Sequence, residues 1–126
     1  MDRGEILVKI RDILGEILDI SPDEIYPSSY MIRDLKVESI DLLEMAVALN
    51  SVFGIDVDED MAFLKQLRLV VERAKEEERD RGVALREAFP HLGPERIEEI
   101  LSEMEDGPVL KVGDVVAYVE WELEKS

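Results

Sequence analysis

The chain has 126 residues, 46% of them apolar and 37% charged, with no cysteine and a net charge of −16. Such a length and composition point to one folded domain rather than a disordered chain. Disulfides and thiolate metal sites are excluded, and nucleic acid is excluded as a partner because its phosphates need Lys and Arg. The same charge favours basic protein partners. No apolar run is long enough to span a bilayer, which argues against an integral membrane protein. The first residues lack the basic head and apolar stretch of a signal peptide, so a cytoplasmic location is expected.

Residues 3–18 read as a helix, because Ile6, Leu7, Ile10, Ile13, Leu14, Ile17 and Leu18 recur at steps of three and four. A loop follows over residues 19–30. Within it, Ser21-Pro22-Asp23-Glu24 offers a cap, a first-turn proline and an acid, which predicts a short helical turn over 22–26. Ser39 opens a second helix over 39–53 as its expected N-cap, and Gly54 closes it. Leu42, Met45, Ala46 and Leu49 should face inward, and Ile40, Leu43 and Val47 outward.

Residues 61–82 read as one long helix with Phe63, Leu64, Leu67, Val70, Val71 and Ala74 as its apolar stripe. Its second half is almost all charged. Opposite-charge pairs such as Arg73 with Glu77 and Glu77 with Arg81 should support it in solvent. One or two turns are expected over 83–89, before Pro90. Pro94 starts a helix over 94–105, with Ile97, Ile100, Leu101 and Met104 on one face, and Asp106-Gly107-Pro108 breaks it. The last helix runs from Asp114 to about Glu124 and buries Val115, Val116, Val119 and Leu123. Tyr118 and Trp121 read as packing aromatics. No strand pattern appears, so the fold class is all-α.

Three other groups carry weaker chemistry. Asp56, Asp58 and Asp60 alternate like the start of a calcium loop, but Met61 and Leu67 stand where such a loop needs Gly and Glu. His91, the one histidine, has no spaced partner for metal ligation or acid–base work. No Gly-x-Ser-x-Gly elbow surrounds Ser39, which argues against serine hydrolysis.

The run Glu38-Ser39-Ile40-Asp41-Leu42-Leu43-Glu44, with Phe53-Gly54-Ile55 beyond it, resembles the acyl carrier protein family. The segment Val112-Gly113-Asp114-Val115-Val116-Ala117-Tyr118-Val119 resembles that family's last helix. The likeness covers residues 1 to about 60 and about 109 to 124. It implies an acyl-carrier-type helical bundle, enlarged over about 61–106 by an inserted long helix and a shorter one within a single domain. It implies a carrier rather than an enzyme.

By this resemblance, a phosphopantetheinyl transferase attaches a 4′-phosphopantetheine arm from coenzyme A to Ser39, and an acyl group rides on the arm's thiol as a thioester. Asp34, Glu38, Ile40, Asp41, Glu44 and Val47 would dock a monomeric carrier onto basic patches of acyl-loading and acyltransferase enzymes. The pathway implied is fatty-acid or specialised lipid biosynthesis, with lipid A and lipopolysaccharide acylation as one case. The family nearly always has Asp where Glu38 stands, and its usual acids are replaced by Asn50 and Ser51. Two alternatives remain open: an interaction protein that keeps the fold without the arm, and a carrier of aminoacyl or polyketide groups.

Overall fold

The computed structural model describes residues 1–125. Among the described residues there are seven α-helices and two short 3-10 turns, and no strand beyond one isolated bridge between Tyr30 and Lys111. The all-α expectation therefore holds. Helix α1 spans Arg3–Leu18, α2 Ser39–Phe53, α3 Glu59–Ala62, α4 Leu67–Glu76, α5 Arg81–Ala88, α6 Pro94–Glu103 and α7 Val112–Lys125.

The expected ends of α1 and α2 match the observed ones, because caps fix them. The Asp2 carboxylate accepts the Glu5 N–H at 2.9 Å, satisfying an otherwise orphan donor. Gly54 ends α2 in the left-handed region at φ 67°, where a side chain would be strained. The predicted turn forms as a 3-10 helix over Pro22–Glu24, capped by Ser21.

The chain from residue 61 to 82 is not one helix. Helix α3 stops at Ala62, and buried Leu64 takes a left-handed φ of 53° before α4 starts at Leu67. A straight helix would carry Phe63, Leu64, Leu67 and Val71 along a single line. The corner lets all four sink into the core, and burying each large apolar side chain gains about 1.5–3 kcal/mol, more than the roughly 1–2 kcal/mol of a left-handed residue. Helix α4 in turn ends at Glu76, Glu78 is left-handed at φ 54°, and Asp80 caps α5 by accepting the Val83 N–H at 3.0 Å. In the charged stretch from residue 72 to 81 only Ala74 is buried, so little apolar packing holds a helix against that cap. Among the described residues, the pairs Arg73–Glu77 and Glu77–Arg81 do not form; Arg79 bonds Glu87 at 2.7 Å instead.

Helix α1 packs against α2 and α7, α3 packs on α7, and α4, α5 and α6 pack in series. Buried side chains from all of them join one apolar cluster, including Leu85, Phe89, Leu92, Ile97, Ile100 and Met104 from the second half of the chain. Val115, Val116 and Val119 are buried in α7 as expected, while Leu123 packs against the cluster half-buried. Tyr118 is fully buried. Its hydroxyl accepts the Asp58 N–H at 2.9 Å and donates to Glu122 at 3.2 Å.

A polar network ties α6 to this core. Arg96 donates to both carboxylate oxygens of Asp114, at 2.7 and 2.9 Å, and to the Val109 carbonyl at 2.6 Å. Asp114 is 3% exposed and also accepts the Lys111 N–H at 2.9 Å. Burial disfavours the Arg96 charge, yet Asp114 beside it holds its pKa above the ordinary arginine value. Glu103 of the same helix accepts the Tyr30 hydroxyl at 2.8 Å. The Arg33 guanidinium lies 4.6 Å and the Lys111 ammonium 5.0 Å from the Tyr30 ring centroid. Backbone bonds complete the join: Met31 N–H to Leu110 O at 2.9 Å, Val112 N–H to Ser29 O at 3.0 Å and Gly113 N–H to Pro27 O at 2.9 Å. A Cβ on Gly113 would stand 3.1 Å from that Pro27 oxygen, so the close approach needs glycine.

Two outcomes follow from these contacts. Asp114→Ala removes the nearest carboxylate from a half-buried guanidinium, which keeps Glu99 at 3.4 Å and the Val109 carbonyl, and should cost about 1.5–3 kcal/mol in urea unfolding. His91, between α5 and α6, lies buried with its ring edge-to-face on Tyr118 at 5.4 Å and, among the described residues, no partner on either nitrogen. Burial pushes its pKa down to about 4, against an opposing pull from Asp114. The unfolded chain, with a histidine near 6.5, binds more protons between those values. The stabilisation is therefore complete above pH 6.5 and drains away as pH falls towards 4, by about 3 kcal/mol. In paired unfolding titrations, wild type should lose that much more stability than His91→Phe over this interval.

Candidate functional site

Ser39 is the first residue of α2 and is exposed. The N-cap is Glu38, one place earlier than the sequence suggests, so the serine side chain is released from capping. The end of the helix is held by its neighbours: the Glu38 N–H donates to Asp41 Oδ2 at 2.8 Å. Among the described residues the Ser39 hydroxyl makes no hydrogen bond. A free hydroxyl therefore stands at the positive end of a 15-residue helix, where backbone N–H groups favour an attached anion.

Beyond it, the outer face of α2 carries Ile40, Leu43 and Val47, which are 61%, 54% and 70% exposed. These large apolar side chains are not paired with the core, and Glu38 and Glu44 stand exposed near them. Asp41 is half-buried and tied to the Glu38 backbone. Asp34 is exposed but serves the preceding turn, accepting the Tyr30 N–H at 2.8 Å. Of the six expected docking residues, the structure thus leaves Ile40, Glu44 and Val47 exposed and clear of the helix start, while Glu38 and Asp41 share its capping box. Leu43 extends their apolar stripe, and its spacing of three and four from Ile40 and Val47 was the signal for it.

One turn inward from Ser39, Leu42 lines a cavity of about 450 Å³. Phe63, Leu64 and Leu67 form one wall, and Met104, Pro108, Val109 and Leu110 another; Ile32, Lys65, Arg68 and Gly107 complete it. Sequence patterning could not find this cavity. It depends on the corner at Leu64 and on the approach of Met104 from a distant segment. Tyr118 and Trp121 do not line it. Tyr118 is core, and Trp121 packs half-buried against it, with rings 6.2 Å apart.

The remaining candidates fall outside this region. His91 packs in the core, and among the described residues no cluster of three metal-ligating side chains exists. Asp58 serves as the cap of α3, accepting the Met61 N–H at 3.2 Å. Among the described residues, no helix is long and apolar enough to cross a membrane.

Residues 8–72 match the family model described as the phosphopantetheine attachment site, which is just over half of the chain. The chain belongs to the acyl carrier protein family. It is 33% identical over 89 residues to the meromycolate extension acyl carrier protein of Mycolicibacterium aurum, covering 68% of this chain and 92% of that one. It is 32% identical over 73 residues to the acyl carrier protein of Thermosynechococcus vestitus, covering 57% of this chain and 90% of that one. A third relative, the acyl carrier protein of Rubrobacter xylanophilus, is 36% identical over 62 residues, covering 49% and 76%. No solved structure matches the chain. The protein is a carrier, not an enzyme, and it holds acyl groups on phosphopantetheine. An exposed, unbonded hydroxyl at a helix N-terminus beside an apolar cavity fits that group.

The Glu38–Asp41 link carries a direct expectation. Asp41→Ala leaves the Glu38 N–H without its acceptor and should lower stability by about 1 kcal/mol, read as a fall in thermal midpoint.

Proposed function

We propose that Ser39 is the point of attachment of the 4′-phosphopantetheine arm. The observation that carries this is its free, exposed hydroxyl at the first residue of α2, one turn from a cavity able to shelter an apolar chain. The arm supplies a thiol that holds the acyl group as a thioester. The chain's own part is positional. The α2 N-terminus stabilises the phosphate charge, and the tether raises the effective concentration of cargo at a docked partner. Leu42, Phe63, Leu64, Leu67 and Met104 keep the chain from water.

Docking falls to Glu38, Ile40, Asp41, Glu44 and Val47, with Leu43 added and Asp34 at the margin. Exposed apolar side chains set among acids suit enzymes with basic patches around an apolar centre. The first of these partners is a phosphopantetheinyl transferase. Glu38 extends one methylene further than the usual aspartate, a difference that such a transferase would meet directly.

Residues 61–106 read best as an insertion into a single carrier domain. The relative from Mycolicibacterium aurum is 92% covered while 32% of this chain lies outside the match. Lys65, Leu67, Arg68 and Met104 from this stretch line the cavity, so it reshapes the space available to cargo. The name of the mycobacterial relatives, meromycolate extension, is in keeping with fatty-acid or specialised lipid biosynthesis in the cytoplasm. Acylation of lipid A or lipopolysaccharide by a dedicated enzyme is a case of the same kind.

Coexpression with a transferase, followed by intact-mass measurement, tests the attachment. Wild type should gain the mass of one arm and Ser39→Ala none. An arm on the variant, or none on wild type with coenzyme A in supply, would overturn the assignment.

A further inference from the structure

The cavity closes where two helices of the inserted stretch converge. Leu67 is the first residue of α4, and Met104 follows α6 as its C-cap. Both side chains line the cavity. One turn further along each helix stand Val71 and Ile100, on the same faces as Leu67 and Met104, because residues four apart share a face. Both are buried, and neither lines the cavity. The Arg68 guanidinium donates to the Met104 carbonyl and so ties the start of α4 to the end of α6. The space therefore ends at Leu67 and Met104, and Val71, Ile100 and the rest of the apolar cluster lie beyond them.

Of these two, Met104 has the longer side chain, unbranched and suited to filling an irregular gap. Its backbone is held independently of that side chain. Arg68 bonds its carbonyl, and the neighbouring Glu103 accepts the Tyr30 hydroxyl at 2.8 Å. A truncated side chain here should leave space behind rather than let the segment close in, since the cost and size of a cavity depend on how far its surroundings can collapse.

We propose that Met104 sets the length of acyl chain that the cavity holds, by closing it off from the space between α4 and α6 in front of Ile100. The specificity for cargo length then belongs to a residue beyond the stretch 8–72 that matches the family model. This rests on the carrier reading for the source of the chain.

The test uses the unmodified protein, so that it does not depend on Ser39. Amide NMR titrations follow alkan-1-ols from hexan-1-ol to dodecan-1-ol in steps of one carbon. Binding should shift Leu64, Leu67 and Met104 and tighten about fourfold for each methylene that finds cover. In wild type the gain should stop within the series. Met104→Ala should move that stop outward by about two carbons, because it removes three heavy atoms. Met104→Val, a milder truncation, should move it in the same direction, and Met104→Phe should bring it inward. Ile100→Val trims a side chain behind the closed end and should leave the stop where it is, which separates a length limit from general loosening of the core. A stop unmoved by either truncation, a stop moved equally by Ile100→Val, no stop in wild type, or no binding at these residues each overturns the proposal. A Ser39 that accepts no arm would leave a positive titration standing, and a failed titration would leave the attachment untouched.

Discussion

Arg96 is where α6 is tied to the start of α7. Its guanidinium is shared between Asp114 at the start of α7 and the carbonyl of Val109. Its own helix carries Glu103 to the Tyr30 hydroxyl. A buried ion pair of this kind adds little net stability compared with apolar packing, but it is costly to leave half-made. Its effect is therefore to select one arrangement. With Arg96 seated, α6 has one register against α7, the 107–111 segment lies against the loop at 27–31, and Met104 arrives opposite Phe63 and Leu64. The cavity is a by-product of that fixed docking.

The charge of the protein is distributed with the same logic. Helix α2 keeps its outward face acidic and apolar and its inward face wholly apolar, since Leu42, Met45, Leu49 and Phe53 are buried. Carboxylates near the serine repel one another, which is tolerable because solvent and salt screen exposed charges. Inside, among the described residues, Arg33 Nε and Nη2 and Glu103 Oε2 are buried without a hydrogen-bond partner. The exposed acidic and apolar face and the cavity-lining face thus lie on different sides of one helix, with the Ser39 hydroxyl at its end.

Much of this was legible in the sequence. Helices α1, α2, α6 and α7 follow from periodic apolar residues, with Gly54 and Pro94 marking two of their ends, because caps and stripes are local properties; α7 starts at Val112, two residues before the expected Asp114. The outward set Ile40, Leu43 and Val47 came from the same arithmetic. The Ser39 region was readable as a pattern, but its cap was misplaced by one residue, since Glu38 and Ser39 are both polar and only the backbone decides between them. The corner at Leu64 left no trace. It contains neither Gly nor Pro, and its left-handed backbone is held by tertiary burial. The break near Glu78 was signalled weakly by Asp80, and a run of charged helix-formers hid it. The cavity was illegible for a further reason: its walls come from residues 32 to 110, and no local window contains them.

Trp121 is the chain's one tryptophan. It sits near the end of α7, between Tyr118 and the Lys125 ammonium, which lies 4.3 Å from its ring. Excited Tyr118 lies well within energy-transfer range of this indole, so the emission of the whole protein reports on the seating of one helix end. Filling or emptying of the cavity, whose walls exclude Trp121, would be nearly dark to intrinsic fluorescence.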